Sequence, residues 1–477
     1  MSHPHHLVWL RQDLRCHDNT ALLAACADPD AAVTAVYALT PGQWAEHDVA
    51  GVRIDFELRH LAVLKVDLEA LGIPLRIIHA ERFDDLPARM AELAQALQVT
   101  ALHANRQYEV NELARDAAVA AALDVPCQWH EDQCILVPGK VLTGDGRFYT
   151  VFSPFKRNWL QQLGPAQRPR GRPAPRKHQA ATSDVIPATC PELPSHVGSE
   201  VCATLWPVGE QAAHERLSAF MVDDVVVYDS RRDFPAINGT STLSPYLAAG
   251  ILSSRQCLAA ALQRQAAGVS SDKGLDNWIS ELCWRDFYKH IVVGFPHVCR
   301  HRAFKRETDA IVWSDNDEHF QAWCEGRTGV PIVDAAMRQL RETGWMHNRL
   351  RMVVAMFLTK DLFIDWRRGE AFFMRHLIDG DFSANNGGWQ WSASTGNDAA
   401  PYFRIFNPVL QGQKFDPEGT FVRRFVPELD ALPAKRIHEP YAKGQGALFV
   451  KYPRPIVDRS LVKDRVLAAF KALGSTP

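Results

Sequence analysis

The chain has 477 residues, which at about 150 per domain leaves room for two or three domains. Hydrophobic residues make up 47% and charged residues 23%, a balance that excludes global disorder, and 28 Gly with 29 Pro exclude a collagen-like or low-complexity chain. The formal net charge is −2, so a nucleic-acid partner must be held by a local basic patch and not by the surface as a whole.

Over residues 1–135, short apolar runs alternate with helical patterns. His6–Leu10, Ala31–Leu39, Pro74–Ala80, Thr100–Ala104 and Pro126–His130 read as strands, and Asn19–Ala27, Gly51–Gly72 and Pro87–Leu97 as helices. The alternation predicts a Rossmann-like α/β domain with a parallel sheet. No Gly-x-Gly-x-x-Gly follows the first strand, so the usual dinucleotide fingerprint is missing.

Residues 136–207 form a connector. Its stretch Gly164–Ala180 holds Arg168, Arg170, Arg172, Arg176 and Lys177 among four prolines and no acidic residue. That composition predicts an extended, solvated linker, with a DNA-contacting basic arm as the competing reading. From 208 to 477 the pattern is helical: Glu210–Val222, Ser254–Ala267, Asp276–Gly294, Asp315–Glu325, Ile332–Gly344, Asn348–Thr359 and Gly369–Ile378 carry apolar residues at helical spacing.

Ten cysteines are scattered with no Cys-x-x-Cys, which predicts reduced thiols in a cytoplasmic protein. The start lacks a signal-peptide pattern, and no window approaches about 18 apolar residues, so no membrane span is expected. His-Glu-x-x-His, Gly-x-Ser-x-Gly and the P-loop string are absent, and His214-Glu215 has no second His at metal-binding spacing. No metal is expected.

Four polar and aromatic clusters remain. Between Tyr228 and Ser244, the hydroxyls of Thr240, Ser241 and Ser244 suit either a phosphate or simple helix capping. On a helix, Trp278, Glu281 and Arg285 share a face, and Trp284 shares one with Glu281 and Tyr288, which sets a carboxylate between two indoles. The third cluster runs from Thr343 to Met352. The fourth, Leu377–Gly396, is too polar and glycine-rich for a core helix and suits a heteroaromatic ligand.

Together, Gly239-Thr-Ser-Thr-Leu-Ser244, Trp284-Arg-Asp-Phe-Tyr288, Gly344-Trp-Met-His-Asn-Arg349 and Asp379-Gly-Asp381 with Asn385-Asn-Gly-Gly-Trp-Gln-Trp391 resemble the photolyase–cryptochrome family. The similarity is to bacterial class I photolyases of cyclobutane pyrimidine dimers, and it spans the chain from Leu7 to Val457. It implies an α/β antenna domain followed by a large all-helical domain binding FAD. By position, Tyr228, Thr240, Ser241, Thr242, Leu243, Ser244, Trp278, Arg285, Asn348, Arg351, Asp379, Asp381 and Asn385 would hold the cofactor. Position 242 departs from the pattern: similar chains commonly carry Arg there, and this one has Thr.

The same resemblance assigns damaged DNA to Arg232, Glu281, Trp284, Asn348, Arg349, Met352, Arg404 and Gln411. It implies repair by electron transfer from light-excited reduced FAD to a flipped-out dimer, with Glu281 beside the pyrimidines and Arg351 paired with Asp379 beside the ring. Base extrusion is a general property of enzymes of this class. Asn385, matched to the position facing flavin N5, bears an amide that cannot easily supply a proton. Trp389, Trp366 and Trp313 match an electron-transfer chain to the surface. His47, Asn111, Glu112 and Cys299 resemble an antenna site for methenyltetrahydrofolate; Arg300 stands where Lys is common, and a deazaflavin is the alternative. A monomer is expected.

The rival reading is a cryptochrome-type blue-light photoreceptor without repair activity. Against it stand Asn385, where plant cryptochromes have Asp, and the expectation of a longer tail beyond Pro455. Repair of six-four photoproducts would call for a second His after His347, where this chain has Asn348. A redox flavoprotein with no nucleic-acid partner would not need Arg232, Arg349 and Arg404.

Overall fold

The computed structural model describes residues 3–176, 182–267, 273–442 and 451–473. All five expected strands form: β1 (His5–Leu10), β2 (Ala32–Leu39), β3 (Leu75–His79), β4 (Ala101–Asn105) and β5 (Cys127–His130). They pair in parallel in the order β3-β2-β1-β4-β5. The central strand is apolar on both faces, with Leu7, Val8, Trp9 and Leu10 all but fully buried, as helix-covered parallel strands require. Crossovers are supplied by the short helix Thr20–Ala25 and by α1 (Gly51–Glu69), α2 (Leu86–Ala96) and α3 (Val110–Ala122).

Beyond the sheet the longer elements are helices: α4 (Phe152–Gln161), α5 (Glu210–Ala219), α6 (Ser254–Ala266), α7 (Lys273–Gly294), α8 (Asp317–Glu325), α9 (Pro331–Thr343), α10 (Asn348–Met356), α11 (Trp366–Met374), α12 (Phe382–Ala393), α13 (Pro408–Phe415) and α14 (Val462–Leu473). The described chain divides into two compact units. One comprises 1–226, 241–296 and 378–380, and so holds the sheet and α1–α7; the other comprises 227–240, 297–377 and 381–477 and holds α8–α14.

Inside the connector, α4 forms because Phe152, Phe155 and Trp159 recur at helical spacing and are buried. Among its described residues the basic stretch carries no regular element beyond a short turn at Pro165–Gln167. Its arginines bond within the first unit: Arg170 to the Thr20 hydroxyl (2.8 Å), Arg172 to the Asp67 carbonyl (2.8 Å) and Arg176 to the Cys26 carbonyl (2.9 Å). Residues 177–180 of that stretch, Lys177 among them, lie outside the described residues.

One expectation is overturned. The polar, glycine-rich fourth cluster is a helix, α12, with Ser383, Asn386, Gln390 and Ser392 buried. Its polarity is satisfied internally. Asp381 caps the first turn by accepting from the Ala384 N–H, Asn386 donates to Glu370 Oε1 at 2.8 Å, and Gln390 donates to Asn386 Oδ1 at 2.9 Å.

Candidate functional site

Within the first unit, a cleft of about 640 Å³ opens at the carboxyl ends of β1 and β2, where an open parallel sheet binds ligands. Trp9, Trp44 and Phe83 line it together with Arg11, Arg115, His47 and Glu112. The guanidinium of Arg11 lies 4.4 Å from the Trp9 ring, and that of Arg115 lies 4.7 Å from both Trp9 and Phe83. Both arginines pair with Asp116, at 3.2 and 2.6 Å.

His47 and its neighbours define one tautomer. Asn111 and Gln43 amide nitrogens lie 3.0 Å from His47 Nε2, which therefore accepts, leaving the proton on Nδ1, 3.5 Å from Glu112 Oε1. Burial lowers the His47 pKa, and burial beside Glu109 pushes Glu112 up to about 7. Three of the four residues expected at an antenna site thus meet. Cys299 stands in the second unit, on the turn Pro296–Arg300. Arg11 and Arg115 escaped sequence reading; for Arg11 the available signal was a charged residue directly after a buried strand, and Arg115, inside a helix, offered none.

Helix α7 fixes a second constellation in the first unit. Buried Asp286 accepts from the Ile135 and Leu136 N–H groups (3.1 and 2.9 Å) and from Trp159 Nε1 (2.9 Å), which locks the rotation of the helix. Trp284 is partly exposed and backed by Phe152, ring centroids 3.6 Å apart and planes within 8°. Tyr288 follows at 5.5 Å, one turn on, and Glu281 is partly exposed near the same face. The platform is rigid and aromatic.

The remaining first-unit residues divide by burial. Trp278 is buried against Phe220, and Leu243 is a core residue. Arg285 donates to the Gln133 carbonyl at 2.5 Å and lies 3.3 Å from the Leu247 carbonyl. Ser241, Thr242 and Ser244 are partly exposed, and Asp379 is buried.

In the second unit, His347 caps α10 by accepting the Arg349 N–H on Nδ1 at 3.2 Å. Burial, helped by the nearby arginines, lowers its pKa to about 4, so the imidazole is neutral at physiological pH and is no acid. Arg349 pairs with Asp233 at 2.8 Å and lies 4.6 Å from the Phe415 ring. Arg232 lies 5.0 Å from the ring of buried Tyr228. Asn348 and Arg404 are exposed; Thr240, Arg351, Met352, Asp381 and Gln411 are partly so.

On α12, Asn385 donates to the Glu370 carbonyl at 3.0 Å, and among the described residues no donor reaches its Oδ1. A Cβ added at Gly388 would meet nothing within 4 Å, so this strip of helix has open space in front of it. An acceptor without a partner beside an uncluttered backbone fits a planar ring bearing an N–H, as FAD does. Trp389 and Trp366 are buried in one hydrophobic cluster and Trp313 packs on it, partly exposed. Trp323, which sequence reading passed over, has its ring centroid 6.0 Å from that of Trp389.

Residues 6–176 match a family model described as DNA photolyase, and residues 278–472 match one described as the FAD binding domain of DNA photolyase. A deoxyribodipyrimidine photo-lyase of Escherichia coli (strain K12) is 47% identical over 469 residues, covering 98% of each chain. A bacterial class III photolyase from Agrobacterium tumefaciens has a similar structure (TM-score 0.86, 34% identity, 100% of this chain and 99% of that one). So does a cryptochrome of Synechocystis sp. PCC6803 (TM-score 0.88, 28% identity, 98% and 100%).

Proposed function

Since the chain belongs to the DNA photolyase family and is a FAD-dependent lyase that repairs pyrimidine dimers in DNA, we propose the residues that carry this activity. Bound and fully reduced, FAD supplies the light-excited electron that opens the cyclobutane ring and recovers it afterwards. Everything else is positioning.

Tyr228, Thr240, Ser241, Thr242, Leu243 and Ser244 meet the FAD phosphates and ribose, and Trp278, Arg285, Asn348, Arg351, Asp379, Asp381 and Asn385 hold the rest of the cofactor. The unpartnered Asn385 Oδ1 accepts a hydrogen bond and donates no proton. The face of Trp284 away from Phe152 stacks on the extruded lesion, and Glu281 accepts from, or shares a proton with, the N–H edge of its pyrimidines. Arg232, Asn348, Arg349, Met352, Arg404 and Gln411 meet the DNA. Neutral His347 speaks against acid-assisted six-four chemistry.

The observation that carries the DNA reading is the Phe152-backed Trp284 platform. Trp284→Ala should weaken binding to dimer-containing DNA by about 1–3 kcal/mol in a titration, with undamaged duplex bound as before, since intact bases stay stacked. Equal weakening of both would place the contact on an ordinary surface groove.

His47, Asn111, Glu112 and Cys299 support methenyltetrahydrofolate as antenna. The aromatic cleft at the ends of β1 and β2 favours a second reading, a deazaflavin. The absorption spectrum of the chromophore released from purified protein decides between them. All ten cysteines are free thiols, which supports a reducing, cytoplasmic setting.

A further inference from the structure

Thr242 occupies a costly conformation. Its φ is +47°, in the left-handed region where a β-branched residue is strained, and such strain persists only where neighbours impose it. The neighbour is Arg216 on α5, whose Nη1 donates to Thr242 Oγ1 at 2.6 Å. Its Nη2 donates to the Leu205 carbonyl at 2.9 Å. The guanidinium lies 5.5 Å from the centroid of the Trp206 ring and 5.6 Å from that of Tyr246, both buried, and the Tyr246 hydroxyl is itself anchored on the Pro207 carbonyl at 2.7 Å.

That arginine is held from several sides and lacks a counter-charge: among the described residues no carboxylate forms an ion pair with it. Partly buried cations ordinarily have an anionic partner, and a guanidinium has five N–H donors, of which two hydrogen bonds use only part. The group is therefore pre-organised for an anion at the loop that begins at Ser241. The sequence lacks an arginine at 242, and the fold brings one to the same residue from another helix.

We propose that Arg216 is the cation of the FAD diphosphate cradle, holding Thr242 in its left-handed shape and supplying the positive charge that position 242 lacks. The proposal rests on the reading that the 240–244 loop meets the FAD phosphates. Arg216 positions the loop through Thr242 and offers its remaining donors to the diphosphate.

The test is the rate of FAD release from the full-length holoprotein, followed by the rise in flavin fluorescence across a range of salt, with circular dichroism to confirm folding. Arg216→Gln removes the charge together with the guanidinium bonds to Thr242 and the Leu205 carbonyl. It should release FAD about tenfold faster, the effect of one lost charge-assisted contact, with a flatter dependence on salt. Adding Thr242→Arg to that variant moves the cation onto the loop and should restore slow release. Ser241→Ala separates the two levels of the argument. If it accelerates release while Arg216→Gln does not, the proposal fails and the loop reading stands; if neither does, both fail. Should Arg216→Gln not fold, Thr242→Val removes only the acceptor, and wild-type release from it would overturn the proposal.

Discussion

Trp389 has its indole N–H buried with no acceptor among the described residues. An indole that has given up an electron becomes acidic, and with no acceptor for its proton an oxidised Trp389 would keep the charge available for transfer. We expect Trp389→Phe to slow photoreduction of oxidised FAD by at least about tenfold and to leave repair by pre-reduced enzyme nearly intact, as transient absorption and a repair assay would show. Unchanged photoreduction would remove Trp389 from the chain. The ring sits where it does because of Gly369: a Cβ there would lie 2.1 Å from Trp389 Cη2, and Gly369 is one turn from Trp366 on α11. Gly369→Ala should therefore cost about 1–3 kcal/mol in denaturant unfolding and slow photoreduction as well. Trp389 stood out through its motif; Gly369, Trp323 and Arg216 did not, because their contacts are with residues distant in sequence.

At the scale of elements, the strands were the most readable part, since parallel strands buried on both faces show as short apolar runs. Helix α3 was not anticipated, because two of its three buried residues, Arg115 and Asp116, are charged and do not read as a core face. The misreading of α12 has a different cause: its polarity is spent on partners such as Glu370 that local sequence cannot reveal. The end of α12 is tied in the same way by Lys360. This fully buried side chain donates to the Ala393 carbonyl at 3.0 Å and to Ser394 Oγ at 2.9 Å. Burial lowers its pKa from 10.5 to about 7. Between those values the unfolded chain holds a proton that the folded chain has released, so this group makes stability rise with pH. Urea unfolding should show wild type gaining on Lys360→Met from pH about 7 to about 9.5; a constant difference would mean that Lys360 keeps its charge in the fold.

Across the whole molecule, the α/β start and helical remainder were evident from composition and period, but the interleaving of the two units was not. Residues 227–240 and 378–380 leave no compositional mark where the chain passes from one unit to the other. Function was legible because four motifs keep their order along the chain. Their shared task is light-driven repair, and one measurement tests it most directly: pre-reduced, FAD-loaded protein mixed with an oligonucleotide bearing a single thymine dimer, illuminated with blue or near-ultraviolet light beside a dark control. Intact thymines should appear in the light and not in the dark. A dimer that survives illumination while FAD is bound and reduced would contradict the account and favour a photoreceptor.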